Sequence, residues 1–429
     1  MADTVKTLAC SLVTSVCLLL SLTVHAVGGK VLLVSMDGFR FDYLNMLPSS
    51  SNFTNLAKLG VSAKFADATF TTKSFPNHYT IVTGCYQESH GIVGNNMYDP
   101  EHDAYFTKDS MEDFWWNQRE PIWSTVVRNG KQAGVYYWPG SYANVSYPPQ
   151  SRMLYNETVD SFLRIAVGLS WFRPPYNYDF VAMYFNQPDK AGHVFGLDSE
   201  GQIRQQIITC DMMLGTILRG LDELNLENAV DFILTSDHGM TSCDVNKKLV
   251  HVPRDAALGP EVLRYTGKGA VMGIWPAPGR EDQVVQKLQS LSNVTVYRKK
   301  DIPDRFHYKN NSRISPIVLL ADEHWLLTNG SDGVFEKNSF GEHGYDPDLQ
   351  SMKTIFFAKG PSFKQNFTVQ EVRLVDIYPL LCHLLNVPAS NHDGNLQNMR
   401  SLLSPAANLS INWALISAVL FFIKAPLFL

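Results

Sequence analysis

Cysteine is scarce in this chain: six occur in 429 residues, and Cys10 and Cys17 fall in an apolar leader. The other four, Cys85, Cys210, Cys243 and Cys382, are too few to be the framework of so long a chain. In an oxidising compartment they allow three pairings, and disulfide bonding among them is expected without a choice of partners. No two lie close enough for a CxxC zinc site. An excess of basic charge is also missing. Lys and Arg number 36 against 41 Asp and Glu, for a net charge of −5 and a pI near 6.2. That balance leaves no electrostatic footprint for a nucleic-acid backbone. Internal repeats and low-complexity blocks are absent, and an ordinary content of Gly, Pro and charge gives no sign of disorder.

Long apolar runs are confined to the two ends. Lys6, the run Leu8 to Val24 and the small-residue site Val24-His25-Ala26 read as a signal peptide over 1–26. Ile411 to Leu429 is nearly continuous in apolar residues and follows Ser401, Ser404, Ala406 and Ala407. Small residues, a short spacer and a terminal apolar stretch match a GPI-attachment signal, with a short membrane-spanning helix or a buried terminal helix as the alternatives. The expected organisation is therefore a leader (1–26), a catalytic domain (27–400) and a hydrophobic tail (401–429). Eight Asn-x-Ser/Thr sequons lie at Asn52, Asn144, Asn156, Asn293, Asn310, Asn329, Asn366 and Asn408. Behind a leader they point to a glycoprotein on the extracellular face of the plasma membrane, held by GPI or a single span, or released.

Between the ends, apolar runs alternate with helical patterns. Lys30 to Asp37, Tyr178 to Tyr184, Ala229 to Thr235 and Met352 to Ala358 read as buried parallel strands. Gln202 to Leu224 and Glu281 to Leu291 carry apolar residues at helical spacing. The expected fold is α/β: a doubly wound, mostly parallel sheet with helices on both faces and its site at the carboxyl ends of the strands. Met97–Trp123 and Asp244–Arg264 read as insertions rather than core, forming loops or small subdomains near that site.

The residues that close the apolar runs are chemically pointed. Asp37 ends the first, Asp189 and His193 follow the second, Asp237 and His238 end the third, and His343 sits in Gly341-Glu342-His343-Gly344. Singly, such residues are more often caps and turn formers. Together they supply oxygen and nitrogen ligands of the kind zinc prefers, in number enough for two ions. A pair of metals can clamp the attacking and leaving oxygens of phosphoryl transfer. Ser74, in Lys73-Ser74-Phe75-Pro76-Asn77-His78-Tyr79, is the candidate nucleophile. Pro76 suits the first turn of a helix, and the free N–H groups of such a turn favour an alkoxide and a phosphate. The plainer role for Ser74 is a helix cap.

In order and spacing, these motifs resemble the ectonucleotide pyrophosphatase/phosphodiesterase family of the alkaline phosphatase superfamily, from about Lys30 to Leu385. The resemblance implies an alkaline-phosphatase-like fold and two Zn2+ ions. One would be held by Asp189, His193 and His343, the other by Asp37, Asp237 and His238 with Ser74 directed at it. It also implies that Asn95 donates to a phosphate oxygen, a fitting task for an amide aimed at a developing oxyanion. Many members carry Thr where this chain has Ser74. That serine, Tyr136 to Gly140 and Trp275 to Gly279 are similar to the glycerophosphocholine cholinephosphodiesterase branch. The segment from Met352 and the sequons at Asn144 and Asn156 are more similar to the alkaline sphingomyelinase branch.

A quaternary ammonium is recognised by aromatic faces, for which Tyr184, Tyr155, Tyr137, Tyr136 and Trp275 are candidates. The resulting expectation is a hydrolase of choline phosphodiesters, working through a phosphoseryl intermediate on a small-molecule or lipid substrate. A nucleotide pyrophosphatase/phosphodiesterase is the rival within enzymes. A catalytically silent surface protein is the rival outside them. Oligomeric state is left open.

Overall fold

Burial alternates along Lys30–Met36: Val31 and Leu33 pack on one side of a sheet, Leu32, Val34 and Met36 on the other, all fully buried. A strand apolar on both faces must be central and covered twice, and it is. The computed structural model describes residues 29–197, 200–330 and 340–408. The expected leader and residues 409–429 of the expected tail lie outside them. Among the described residues no helix is long and apolar enough to cross a membrane.

The large sheet has eight strands. In chain order they are β1 (Lys30–Met36), β2 (Val61–Asp67), β3 (Ala133–Tyr136), β4 (Ser151–Met153), β5 (Phe180–Phe185), β6 (Val230–Thr235), β7 (Phe356–Lys359) and β8 (Phe367–Arg373). They lie in the order β8-β2-β7-β6-β1-β5-β3-β4, and only β7 runs antiparallel to its neighbours. Helices α1 (Ser74–Thr83) and α5 (Ile377–Leu385) pack on one face. Helices α2 (Ser161–Ser170) and α4 (Glu200–Glu223) pack on the other. This is the doubly wound, mostly parallel α/β architecture read from the sequence, with α3 (Asp189–Phe195) seated at the carboxyl end of β5.

Three expectations need correction. Met97–Trp123 is not outside the core: besides the hairpin Met97–Asp99/Ala104–Phe106 it supplies Trp115, Trp116 and Trp123, core residues exposed by 1% or less. Their large apolar area drives them inward despite polar neighbours. Asp244–Arg264, by contrast, leads, as one expected alternative had it, into a small subdomain, a separate four-stranded antiparallel sheet built from Val262–Thr266, Val271–Pro276, Val294–Arg298 and Ile317–Ala321, with its own core. The last predicted strand begins later, at Phe356, after a helical turn at Gln350–Met352. The expected disulfides do not form either. Cys85, Cys210 and Cys382 are buried thiols: Cys210 lies in α4 on one face of the sheet, Cys382 in α5 on the other, and Cys85 just after α1. Cys243 is buried just after the short strand Thr241–Ser242.

Candidate active site

The carboxyl ends of β1, β5 and β6 converge, and the sequence places a metal-type ligand at each. Asp37 follows β1 directly, and its carbonyl accepts from the Asp189 amide at 2.9 Å, which docks the first turn of α3 on the end of β1. One turn on, His193 shares that face of the helix. Asp237 and His238 follow β6. His343 comes from far along the chain, in a short strand whose Gly341 and Glu342 pair with Ser242 and Thr241. Gly341 lies so close to α3 that a Cβ would sit 2.4 Å from the Gly192 carbonyl, so only glycine fits there.

The three histidines are oriented alike. Nδ1 of His193 lies 2.8 Å from the Gly341 carbonyl, that of His238 2.8 Å from the Gly239 carbonyl, and that of His343 2.8 Å from the Thr72 carbonyl. A carbonyl can only accept, so each Nδ1 carries the proton and each Nε2 presents a lone pair to the centre. Backbone support of this kind fixes tautomer and ring angle in metal sites. Facing those lone pairs are buried carboxylate oxygens with no hydrogen-bond partner: Oδ1 of Asp37, Oδ1 of Asp189 and Oδ2 of Asp237. His238 Nε2 lies 3.4 Å from Asp37 Oδ1 and 3.0 Å from Asp237 Oδ2. Asp189 Oδ1 lies 3.5 Å from His193 Nε2 and 3.6 Å from His343 Nε2. Orphaned buried carboxylates are costly unless a cation or donor completes them. Asp189, His193 and His343 form one set that could hold a metal ion, and Asp37, Asp189 and His238 another. The electrostatics agree. Burial, then the neighbouring Asp237 and Asp189 carboxylates, drive Asp37 well above the usual carboxylate range. Burial, then His238 and Lys73, hold His343 well below the usual imidazole value.

Ser74 is the first residue of α1, with Lys73 in extended backbone as its N-cap. Its Oγ is 3.2 Å from His238 Nε2. Asn95 accepts from the Phe75 amide at 3.0 Å through Oδ1, which leaves the other end of its amide as a donor beside the helix N-terminus. Beneath this turn lies His78, fully buried, one turn along α1 from Ser74. Its Nδ1 donates to the Ser74 carbonyl at 2.8 Å and lies 3.3 Å from Asp237 Oδ2, while its Nε2 is 2.8 Å from Ser35 Oγ on β1.

Two cavities border the chain neighbours of Ser74, Phe75 lining one and Lys73 the other. The larger, about 530 Å³, is lined by Phe75, Met111, Tyr137, Leu154, Tyr155 and Tyr184 among others. The smaller, about 190 Å³, has a mixed lining that includes His193, His343 and Asn95. On its wall Lys73 Nζ meets Glu342 Oε1 at 2.7 Å. Of the aromatics singled out in the sequence, Tyr137, Tyr155 and Tyr184 share the larger cavity. Tyr136 packs behind it on Trp171, and Trp275 lies away from both cavities, against Tyr98 in the second sheet. Tyr184 is more than a wall: its hydroxyl donates to Asp37 Oδ2 at 2.6 Å. Phe75, Lys73 and Glu342 were visible beside motif residues but had no role in the sequence reading. Met111 and Leu154 carried no signal, because loop side chains reach the cavity through tertiary folding alone.

Known proteins extend the picture. The profile described as type I phosphodiesterase/nucleotide pyrophosphatase matches residues 31–346. The human ectonucleotide pyrophosphatase/phosphodiesterase family member 5 is 40% identical over 385 residues, spanning 88% of this chain and 78% of that protein. A bis(5'-adenosyl)-triphosphatase of Xenopus laevis is 36% identical, spanning 87% and 82%. Among solved structures, murine ectonucleotide pyrophosphatase/phosphodiesterase 5, inactive and in complex with AMP, superposes with a TM-score of 0.83 at 38% identity, covering 88% of this chain and all of that one.

Proposed function

We propose, for a chain that belongs to the type I phosphodiesterase/nucleotide pyrophosphatase family, that it hydrolyses nucleotide phosphodiesters or phosphoanhydrides and releases a nucleoside monophosphate. The observation that carries this is a pair of unlike cavities, one lined by Phe75 and the other by Lys73, the two chain neighbours of Ser74. A phosphodiester has two arms. The aromatic cavity of about 530 Å³ suits a flat base with its sugar, and the smaller one, with Lys73 and Asn95 on its wall, suits the leaving arm. A trimethylammonium head would leave most of the larger space empty. The relatives act in the same sense: one is named for a bis(5'-adenosyl) triphosphate and another was solved with AMP. The choline reading has one observation in its favour, the three tyrosine faces of Tyr137, Tyr155 and Tyr184.

Two zinc ions are proposed for the site, the first with Asp189, His193 and His343, the second with Asp37, Asp237 and His238. Bound there, they would supply Lewis acidity at the phosphoryl oxygens. The chain's own groups do the rest. Ser74 Oγ attacks phosphorus and the bond to the leaving arm breaks, giving a phosphoseryl group and a freed oxygen that takes a proton. Water then cleaves the Ser74–phosphorus bond and restores the hydroxyl. Asn95 and the N–H groups at the start of α1 hold a non-bridging oxygen through both steps.

The deciding experiment compares nitrophenyl thymidine phosphate with nitrophenyl phosphorylcholine as substrates, in wild type and in Ser74→Ala. The nucleotide ester should be the faster, and Ser74→Ala should lower kcat by roughly three to six orders of magnitude with zinc content unchanged. Faster turnover of the choline ester would restore the other reading, and full turnover by Ser74→Ala would remove the nucleophile.

A further inference from the structure

Two sequons adjoin the lining of the aromatic cavity. Asn156 stands between Tyr155 and Glu157, which both line that cavity. Asn144 stands two residues after Tyr142, another lining residue, and its backbone N–H donates to the carbonyl of lining residue Met111 at 3.1 Å. Both asparagines are exposed. Asn156 is also arranged for modification. Its Oδ1 accepts from the Thr158 amide at 3.0 Å and from the Thr158 hydroxyl at 2.8 Å, an Asx turn that ties the sequon hydroxyl to the side chain and uses no hydrogen of the amide nitrogen. Asn52 shows the opposite case: its Nδ2 donates to Asp211 Oδ2 at 2.8 Å and to the Asp211 carbonyl at 2.9 Å, so this sequon is spent on packing α4.

We propose that Asn156 and Asn144 carry N-linked glycans, and that these two glycans form a size filter at the mouth of the aromatic cavity. The filter admits free small phosphodiesters and bars phosphodiesters presented on a surface. The modification takes its sugar from a polyprenyl-diphosphate-linked oligosaccharide: the amide nitrogen bonds the anomeric carbon, the glycosyl–oxygen bond breaks, and the lipid diphosphate departs as the amide loses a proton. A glycan is bulky and strongly hydrated. Two such chains on exposed residues beside the cavity lining hold an extended surface away while small molecules in solution pass. The proposal rests on the aromatic cavity being the substrate's entrance, as the nucleotide reading has it.

The full chain is produced in secreting eukaryotic cells. Glycosidase treatment in heavy-oxygen water followed by peptide mass spectrometry should find Asn156 and Asn144 converted to labelled Asp. Asn156→Asp keeps the turn's acceptor oxygen and removes the glycan, and Ser146→Ala removes the second sequon. The double variant should hydrolyse free nitrophenyl thymidine phosphate within twofold of wild type. It should hydrolyse the same ester tethered to agarose beads at least fivefold faster than wild type does. Unmodified Asn156, or equal rates on the tethered ester, would overturn the filter. Loss of turnover on the free nucleotide ester in wild type would instead strike the proposed function and leave the occupancy result standing.

Discussion

At the scale of single residues, His78 is the least conspicuous member of the site and the most constrained. It is fully buried between Trp138 and Tyr184, with ring centroids 5.2 and 5.0 Å away. Burial holds its imidazole below the usual value, so it stays neutral. Its one N–H serves the Ser74 carbonyl, with Asp237 Oδ2 beside it. Removing that donor leaves a buried carbonyl, and a carboxylate edge, without support, at about 1–3 kcal/mol for an unsatisfied group. His78→Leu should weaken zinc binding by about 10- to 100-fold, the range typical of lost outer-shell partners. His78→Asn places an N–H near the same point and should recover part of that loss. Equal zinc affinity in the two variants, measured by competition with a chromogenic chelator, would show that His78 only fills space. The sequence printed His78 inside the nucleophile motif, yet its task was illegible there, because Ser35 and Asp237 reach it across the sheet.

At the scale of elements, the end of β1 carries the tightest fit. Gly38 follows Asp37 with φ at +68°, and a Cβ there would lie 2.7 Å from Asp189 Cβ. Gly38→Ala therefore pays about 1–2 kcal/mol for the left-handed backbone and also pushes Asp189 off the site. The expected result is a lower Tm and a second, separate loss of metal affinity. A normal zinc titration in the folded variant would contradict the second part. Elements of this central kind were legible. β1, β5 and β6 were read within two or three residues because strands buried on both faces are nearly continuous runs of apolar residues. The four-stranded sheet over 262–321 was not. Its outer strands, Val262–Thr266 and Val294–Arg298, are short and part-exposed and carry no continuous apolar run, and the inner ones, Val271–Pro276 and the buried apolar run Ile317–Ala321, stand apart from the ligand motifs that marked the central strands. His343 was legible from its motif alone, whereas the pairing of Gly341 and Glu342 with Ser242 and Thr241 that carries it to β6 had no sequence signal.

At the scale of the whole molecule, the site draws on segments from residue 37 to residue 343, so whatever completes it also braces the fold. Three orphaned carboxylate oxygens meet at one point, and a cation that binds only the folded chain stabilises it by about 4 kcal/mol at a thousandfold excess over its Kd. Thorough chelation should lower Tm, and zinc should restore it more fully than magnesium, since imidazole ligands suit zinc. An unchanged Tm in the stripped protein would mean the carboxylates are satisfied some other way. The two cavities have a different consequence. Among the described residues no side chain lines both, and the hydrogen bond from the Phe75 amide to Asn95 joins one wall to the other. Rates measured over a grid of bases and leaving arms should then factor into one term for each row and one for each column. Tyr155→Ala should rescale all rates for a given base together, Asn96→Ala, in the lining of the smaller cavity, should do the same for leaving arms, and the double variant should show the product of the two effects to within about 0.5 kcal/mol of activation free energy. Selectivity for one arm could thus drift across generations while selectivity for the other stood still.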